Sequence, residues 1–222
     1  MHTEANVDDS GNITIEVFSR PGLRGRVIVS RFDTATGTGT GTGTTLGFVN
    51  NPPTEVGFEV VITDPGDPEN VLFASSGQLV DLAETAINSI TVVSGTSDDF
   101  ILISQVGQVN GDLIVDGRNG DDDIVVQSLD VGGQPNIRGR AGRDEIEING
   151  VLAGSVFAGL GPSSDELLRL GSSTFLGRAS FSGGTGTDAI ESFGPGFSAT
   201  LTPSETGNNI FSQTPIIRSF EE

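Results

Sequence analysis

Apolar and polar residues alternate along this chain in short runs rich in β-branched side chains. Asn12–Phe18, Arg26–Arg31 and Phe58–Thr63 each put aliphatic residues at every second position or nearly so. That period sends alternate side chains to one face of a strand. A turn is expected at Asp64-Pro-Gly-Asp-Pro68, followed by further apolar segments at 71–73 and 79–82. Beyond Phe193, strands are expected at 197–201 and 215–220, separated by Pro203 and the Thr206-Gly-Asn-Asn209 turn.

The middle of the chain carries an internal repeat. Three segments align well: Gly95-Thr-Ser-Asp-Asp99-Phe-Ile-Leu-Ile103, Gly117-Arg-Asn-Gly-Asp-Asp122-Asp-Ile-Val-Val126 and Gly139-Arg-Ala-Gly-Arg-Asp144-Glu-Ile-Glu-Ile148. Gly159-Leu-Gly-Pro-Ser-Ser-Asp165-Glu-Leu-Leu168 and Gly183-Gly-Thr-Gly-Thr-Asp188-Ala-Ile190 are weaker copies. The aspartates Asp99, Asp122, Asp144, Asp165 and Asp188 are spaced by 23, 22, 21 and 23 residues. Two residues after each comes Ile101, Ile124, Ile146, Leu167 or Ile190; two before each leading glycine comes Val93, Val115, Ile137, Phe157 or Phe181. Each copy thus reads as a strand, a glycine-rich corner and a second strand, with aliphatic columns inward and Asp123, Glu145, Glu147 and Glu191 toward water. The glycines are expected to supply positive φ at the corners. One such unit cannot bury its own apolar face, so copies must stack. The fold class is therefore all-β: a parallel β-solenoid of about 22 residues per coil with an N-terminal β-rich region, each coil rising about 4.8 Å. An antiparallel sandwich would not require one corner motif with the same aspartate at a fixed step.

Three regions follow. Residues 1–85 form an N-terminal β-rich region or cap, residues 86–196 the solenoid, and residues 197–222 C-terminal strands or a cap. Residues 34–45 alternate Thr and Gly in a low-complexity run that reads as a surface loop. Asn6-Val-Asp8-Asp-Ser10-Gly11-Asn-Ile13 imitates the front of an EF-hand loop, but Val17 stands where the bidentate Glu belongs and a strand follows, so it reads as a β-turn.

The corner pattern Gly-x-x-Gly-x-Asp-x-Ile resembles the haemolysin-type (RTX) calcium repeat over roughly residues 94–193. The corner here comes once per coil of about 22 residues, where that family repeats every nine. The resemblance implies calcium held by corner aspartates, which here are Asp99, Asp122, Asp144, Asp165 and Asp188, and implies secretion. The residues leave three ways to offset the repulsion of carboxylates stacked 4.8 Å apart, about 0.9 kcal/mol per pair in water. Calcium is one, interleaved arginines such as Arg118 and Arg140 are another, and capping of backbone amides by each Asp is the third.

Composition narrows the chemistry. The 222 residues contain no Cys, Trp, Tyr or Lys, 32 Gly, eleven Arg, and a single histidine, His2. Disulfides, thiolate metal sites, cysteine nucleophiles and lysine Schiff bases are excluded, and a Ser-His-Asp triad would depend on a terminal His2. A net charge of −19 disfavours nucleic acid and anionic membrane surfaces as partners, and no apolar run reaches membrane-spanning length. The expected role is a non-catalytic extracellular or cell-surface structural protein, a self-associating fibre, adhesin or surface-layer subunit joined through solenoid ends or exchanged strands. The alternative is a calcium-binding folding module of a secreted protein. A polysaccharide-active enzyme is the third reading; it would need a surface groove where Arg138, Arg140 and Arg143 meet Asp122 and Asp144.

Overall fold

A computed structural model describes residues 1–19, 22–32, 55–64, 66–81, 86–163, 167–184, 187–192, 198–202 and 208–211. The Thr/Gly run at 34–45, Asp165 and the strand expected at 215–220 lie outside these residues. Every described element is a strand or a turn, and the strands stack in parallel into a β-solenoid of about four turns spaced about 23 residues apart.

One face of the coil stacks β2 (Asn12–Phe18), β6 (Ser89–Val93), β8 (Leu113–Asp116), β10 (Pro135–Arg138), β12 (Val156–Gly161), β14 (Thr174–Gly184) and β16 (Ser198–Thr202), each parallel to the last. The second face stacks β3 (Arg24–Phe32), β7 (Asp98–Val109), β9 (Asp123–Val131), β11 (Glu145–Ala153), β13 (Leu167–Leu170), β15 (Thr187–Ser192) and β17 (Asn208–Phe211). The ends of β7, β9 and β11 and the start of β14 form a shorter third face, with Val109 over Val131 and Ala153 over Phe175. The register of about twenty-two residues makes Ile101, Ile124 and Ile146 successive parallel partners, but in the fourth copy Leu168 takes the place expected of Leu167, pairing with Ile146 and Ile190 while Leu167 pairs with Glu145.

At the N-terminal end the pairing changes sense. β1 (His2–Val7) lies antiparallel on β2, and β4 (Glu55–Asp64) antiparallel on β3, with β5 (Asp67–Asp81) antiparallel on β4. The apolar segment expected at 71–73 and the described part of that at 79–82, up to residue 81, thus belong to one 15-residue strand, with register shifts beside Leu72 and Leu79. β2 and β3 belong to the solenoid stack itself, so the strands on either side of residue 85 share one continuous sheet.

Alternation fills the interior. Ile15, Val92, Val115, Ile137, Ala158 and Phe181 form one buried column; Val29, Ile103, Val126, Ile148 and Leu170 form another. Each fully buried aliphatic side chain contributes roughly 1.5–3 kcal/mol. Two interior assignments made from the leading glycines need correction. Val93 and Phe157 point outward, and their neighbours Val92 and Ala158 take the interior places. The cause is corner length. Asp116 pairs with Val93 and Arg138 with Gly159, so the true equivalents of Gly117 and Gly139 are Ser94 and Leu160, one residue away from Gly95 and Gly159.

Candidate functional site

Asp99, Asp122, Asp144 and Asp188 all lie in the corner between the first and second faces, and all are buried, with 1–3% of their surface exposed. The alternation that sends Ile101, Ile124 and Ile146 inward sends the residue two earlier inward as well. Their carboxyls stitch the coils together. The Asp99 amide donates to Asp122 Oδ1 at 2.9 Å, and the Asp122 amide donates to Asp144 Oδ1 at 3.0 Å. At the top of the ladder Asp99 accepts from the Gly95 amide and the Ser97 hydroxyl of its own corner. A second ladder runs outside the first in the opposite sense: the Asp121 amide donates to Asp98 Oδ1, and the Arg143 amide to Asp121 Oδ1.

Burial is the main cause of the electrostatics here. It pushes Asp122 up to about 8, with the carboxylates of Asp99, Asp144 and Asp98 adding to the rise against the opposing pull of the Asp99 amide. Asp144 is pushed up to about 6, again first by burial. Asp99 is raised by burial too, tempered by hydrogen bonds from its own corner and from the Gly25 amide of the preceding coil. Oδ2 of Asp122 and of Asp144 is buried with no hydrogen-bond partner. Each lies against a leading glycine, where a Cβ on Gly117 would come 2.4 Å from Asp122 Oδ2 and one on Gly139 would come 2.3 Å from Asp144 Oδ2.

The leading glycines Gly117 and Gly139 therefore make room for a carboxyl, and the positive φ expected of the corner glycines is supplied further along the motif. Positive φ falls on Gly120 and Gly142 and on a stacked column of Arg118, Arg140, Gly161 and Gly184, at 69°, 85°, 148° and 83°.

Calcium takes six to eight oxygens. In this ladder Asp122 and Asp144 each commit Oδ1 to an amide, and Asp99 gives Oδ2 to the Gly95 amide. Among the described residues no group of three or more acidic or histidine side chains is placed to hold a metal ion. Asp165 lies outside the described residues.

The arginines do not meet Asp122 or Asp144, which point to the other side of the backbone. Arg140 instead grips Asp116 of the preceding coil, Nε to Oδ1 at 2.8 Å and Nη2 to Oδ2 at 2.6 Å. Burial works to raise Asp116, but Arg140 and Arg118 together outweigh it and the carboxyl is held below its ordinary value. Arg118 approaches Glu16 at 3.9 Å. Arg138 bonds Asn136 Oδ1 through Nε, and its guanidinium carbon stands 5.5 Å from the centre of the Phe157 ring. These three arginines border an open groove of about 1010 Å³ whose floor includes Phe157, Gly159, Leu160, Gly161 and Gly184. The sequence reading anticipated arginines on an exposed face but missed Asp116 as their partner. The signal was available: Asp116 follows the inward Val115 and so points outward.

The N-terminal mimic of an EF-hand loop is a turn. Asp8 Oδ1 accepts the amides of Ser10 and Asn12, Gly11 has a φ of 77°, and β2 follows.

Comparison with known proteins finds no matching family model, no matching curated relative and no matching solved structure. Among the described residues no helix is long and apolar enough to cross a membrane.

Proposed function

We propose that this chain is a non-catalytic structural module of the cell exterior, a self-associating subunit of a fibre, an adhesive surface or a surface layer. The observation that carries this reading is the edge strand β5. It pairs with β4 alone among the described strand pairings. Ten of its fifteen residues, Val71–Val80, contain no charge, the acids Asp67, Glu69 and Asp81 lying toward its ends, and Val71 and Leu72 are 53% and 40% exposed. Sheet proteins ordinarily blunt such an edge with lysine or other charges, and this chain has no lysine at all. An uncharged edge is also where two copies of a chain of net charge −19 can approach with least repulsion. Main-chain pairing at such an edge is ordinary strand addition. β2 is a poorer donor, because it is already paired on both sides, with β1 and β6.

Electron microscopy and sedimentation of the purified chain test this. Fibres, sheets or discrete oligomers are expected, and Ser76→Lys in the middle of β5 should reduce end-to-end growth while leaving the melting temperature within a few degrees. A wild-type chain that stays monomeric at every concentration and ionic strength sinks the reading.

A second reading, a calcium-responsive folding module of a secreted protein, has one observation in its favour. Asp122 and Asp144 each bury a carboxyl oxygen that no hydrogen bond satisfies, and a cation is one way to compensate such an atom.

A further inference from the structure

The arginine-lined groove has a feature that corner-building alone does not require. Arg118 and Arg140 occupy the left-handed position that Gly161 and Gly184 fill in the next two coils. For a residue with a Cβ that backbone costs roughly 1–2 kcal/mol. Glycine would build the same corner without that cost, as the later coils do. The switch from arginine to glycine down this column also shapes the groove: long side chains stand over the first coils, and bare backbone forms the floor at Gly159, Gly161 and Gly184.

The second face of the coil displays the opposite charge. Asp123 and Glu145 are parallel partners, one directly above the other, and Glu147 stands two residues along from Glu145 on the same face. Asp123 and Glu147 form no ion pair among the described residues, while Glu145 is paired with Arg169. Like charges stacked one coil apart repel. Burial is the first cause of the raised Asp123 carboxyl; Glu145 and Glu147 add to the rise, and Arg169, the parallel partner of Glu147, opposes it.

We propose that the groove bordered by Arg118, Arg138 and Arg140 receives the Asp123–Glu145–Glu147 column of a second copy of this chain, so that solenoids pack side by side. The two columns match in pitch without any further design. Arg118 and Arg140 are one coil apart, as are Asp123 and Glu145, and both steps are set by the same strand spacing of about 4.8 Å. The contact joins two different surfaces, so it is heterologous and propagates into a sheet or filament unless a rotation closes it. Arg138 is the central contact, since among the described residues its guanidinium meets Asn136 and the Phe157 ring and no carboxylate.

This inference rests on the self-association reading but concerns a different surface from β5. The test is sedimentation velocity of the full chain at low salt and at about 1 M salt, where the Debye length is ~3 Å. The groove variant is Arg118→Gly/Arg138→Glu, with the glycine that later coils already carry. The column variant is Asp123→Arg/Glu147→Arg. Wild type should associate more extensively at low salt than at high salt, where pairing through β5 alone remains, and each variant alone should associate at low salt at least about tenfold more weakly than wild type. Mixing the two variants should restore association, because the acidic column of one meets the arginine groove of the other and the reversed pair is complementary too. Circular dichroism and melting curves confirm that the variants fold; if one does not, Arg138→Gln replaces it.

If wild type associates and both variants do so equally well at every salt concentration, the groove assignment is overturned while self-association through β5 stands. If wild type is monomeric throughout, both fall. A monomer that instead retains polygalacturonate, and loses it in Arg118→Gly/Arg138→Glu, overturns the second copy as occupant in favour of an acidic glycan.

Discussion

Asp122 is where burial and charge conflict most directly. Its carboxyl is 2% exposed and lies between two other acidic rungs, Asp99 and Asp144, yet its Oδ1 holds the Asp99 amide in place. Protonation settles the conflict at neutral pH, because the folded carboxyl is pushed up to about 8 from an ordinary value near 3.8. Below about pH 4 the group is protonated in folded and unfolded chains alike. As pH rises from there the unfolded chain loses its proton first, and the folded chain holds on until about 8. Stability contributed by this proton is therefore full at low pH, declines by about 1.4 kcal/mol per pH unit at most, and is gone above the folded value. Asp144 acts in the same sense over a narrower window, up to about 6. Urea midpoints are expected to fall between about pH 5 and about pH 8.5. Asp122→Asn keeps an acceptor for the Asp99 amide and removes the charge, so it should flatten that slope and raise the midpoint above wild type at the alkaline end. A wild-type profile that rises with pH over this interval would contradict the buried ladder.

The corner is the element on which the fold turns, and it shows how far the sequence could be read. The Asp step of 21 to 23 residues predicts the Ile124–Ile146 partnership because a constant repeat in a chain of alternating residues leaves little else for the strands to do. What the step does not reveal is which glycine is equivalent to which. Corner length varies, with four residues from Gly95 to Asp99 but five from Gly117 to Asp122. Counting from the glycine therefore shifts the preceding strand by one, which in a strand exchanges inside for outside. Val93 and Phe157 were misplaced for this reason, whereas Val115 and Ile137 were not. The groove was still less legible, since it depends on Arg140 reaching Asp116 across 24 residues of sequence. The role of the leading glycine is testable. Gly139→Ala places a Cβ 2.3 Å from Asp144 Oδ2, without any positive φ to confuse the result. It should cost about 1–3 kcal/mol by overpacking, and Gly154→Ala, which meets nothing within 4 Å, should cost far less. Asp144→Ala strands the Asp122 amide and costs about 1–3 kcal/mol by itself. Because the two substitutions act on one contact, the double variant should lose less than their sum. Strict additivity in denaturant titrations would show that the glycine is there for some other reason.

At the scale of the whole molecule, a chain of net charge −19 must hold its coils together against its own field. The described structure does this in two ways that need no bound ion. Inside, carboxyls become hydrogen-bond acceptors whose charge is suppressed by burial; outside, Arg140 and Arg169 each reach an acid of the preceding coil, at Asp116 and Glu145. A calcium ladder would work differently, since a cation bound only to the folded chain raises stability by about 2.7 kcal/mol at a hundred times its dissociation constant. Screening of surface charge by any divalent ion is weaker and indifferent to which ion supplies it. Melting curves in chelator, magnesium and calcium at equal ionic strength therefore separate the two designs. The hydrogen-bonded ladder predicts equal small shifts with magnesium and calcium, because Oδ1 of Asp122 and of Asp144 is already taken by an amide and too few oxygens remain for a site that wants six to eight. A rise of several degrees with calcium alone, abolished by Asp144→Asn, would mean that the unsatisfied Oδ2 atoms of Asp122 and Asp144 mark ion positions, and the acidic corner would then have to be understood as a metal-dependent joint between coils.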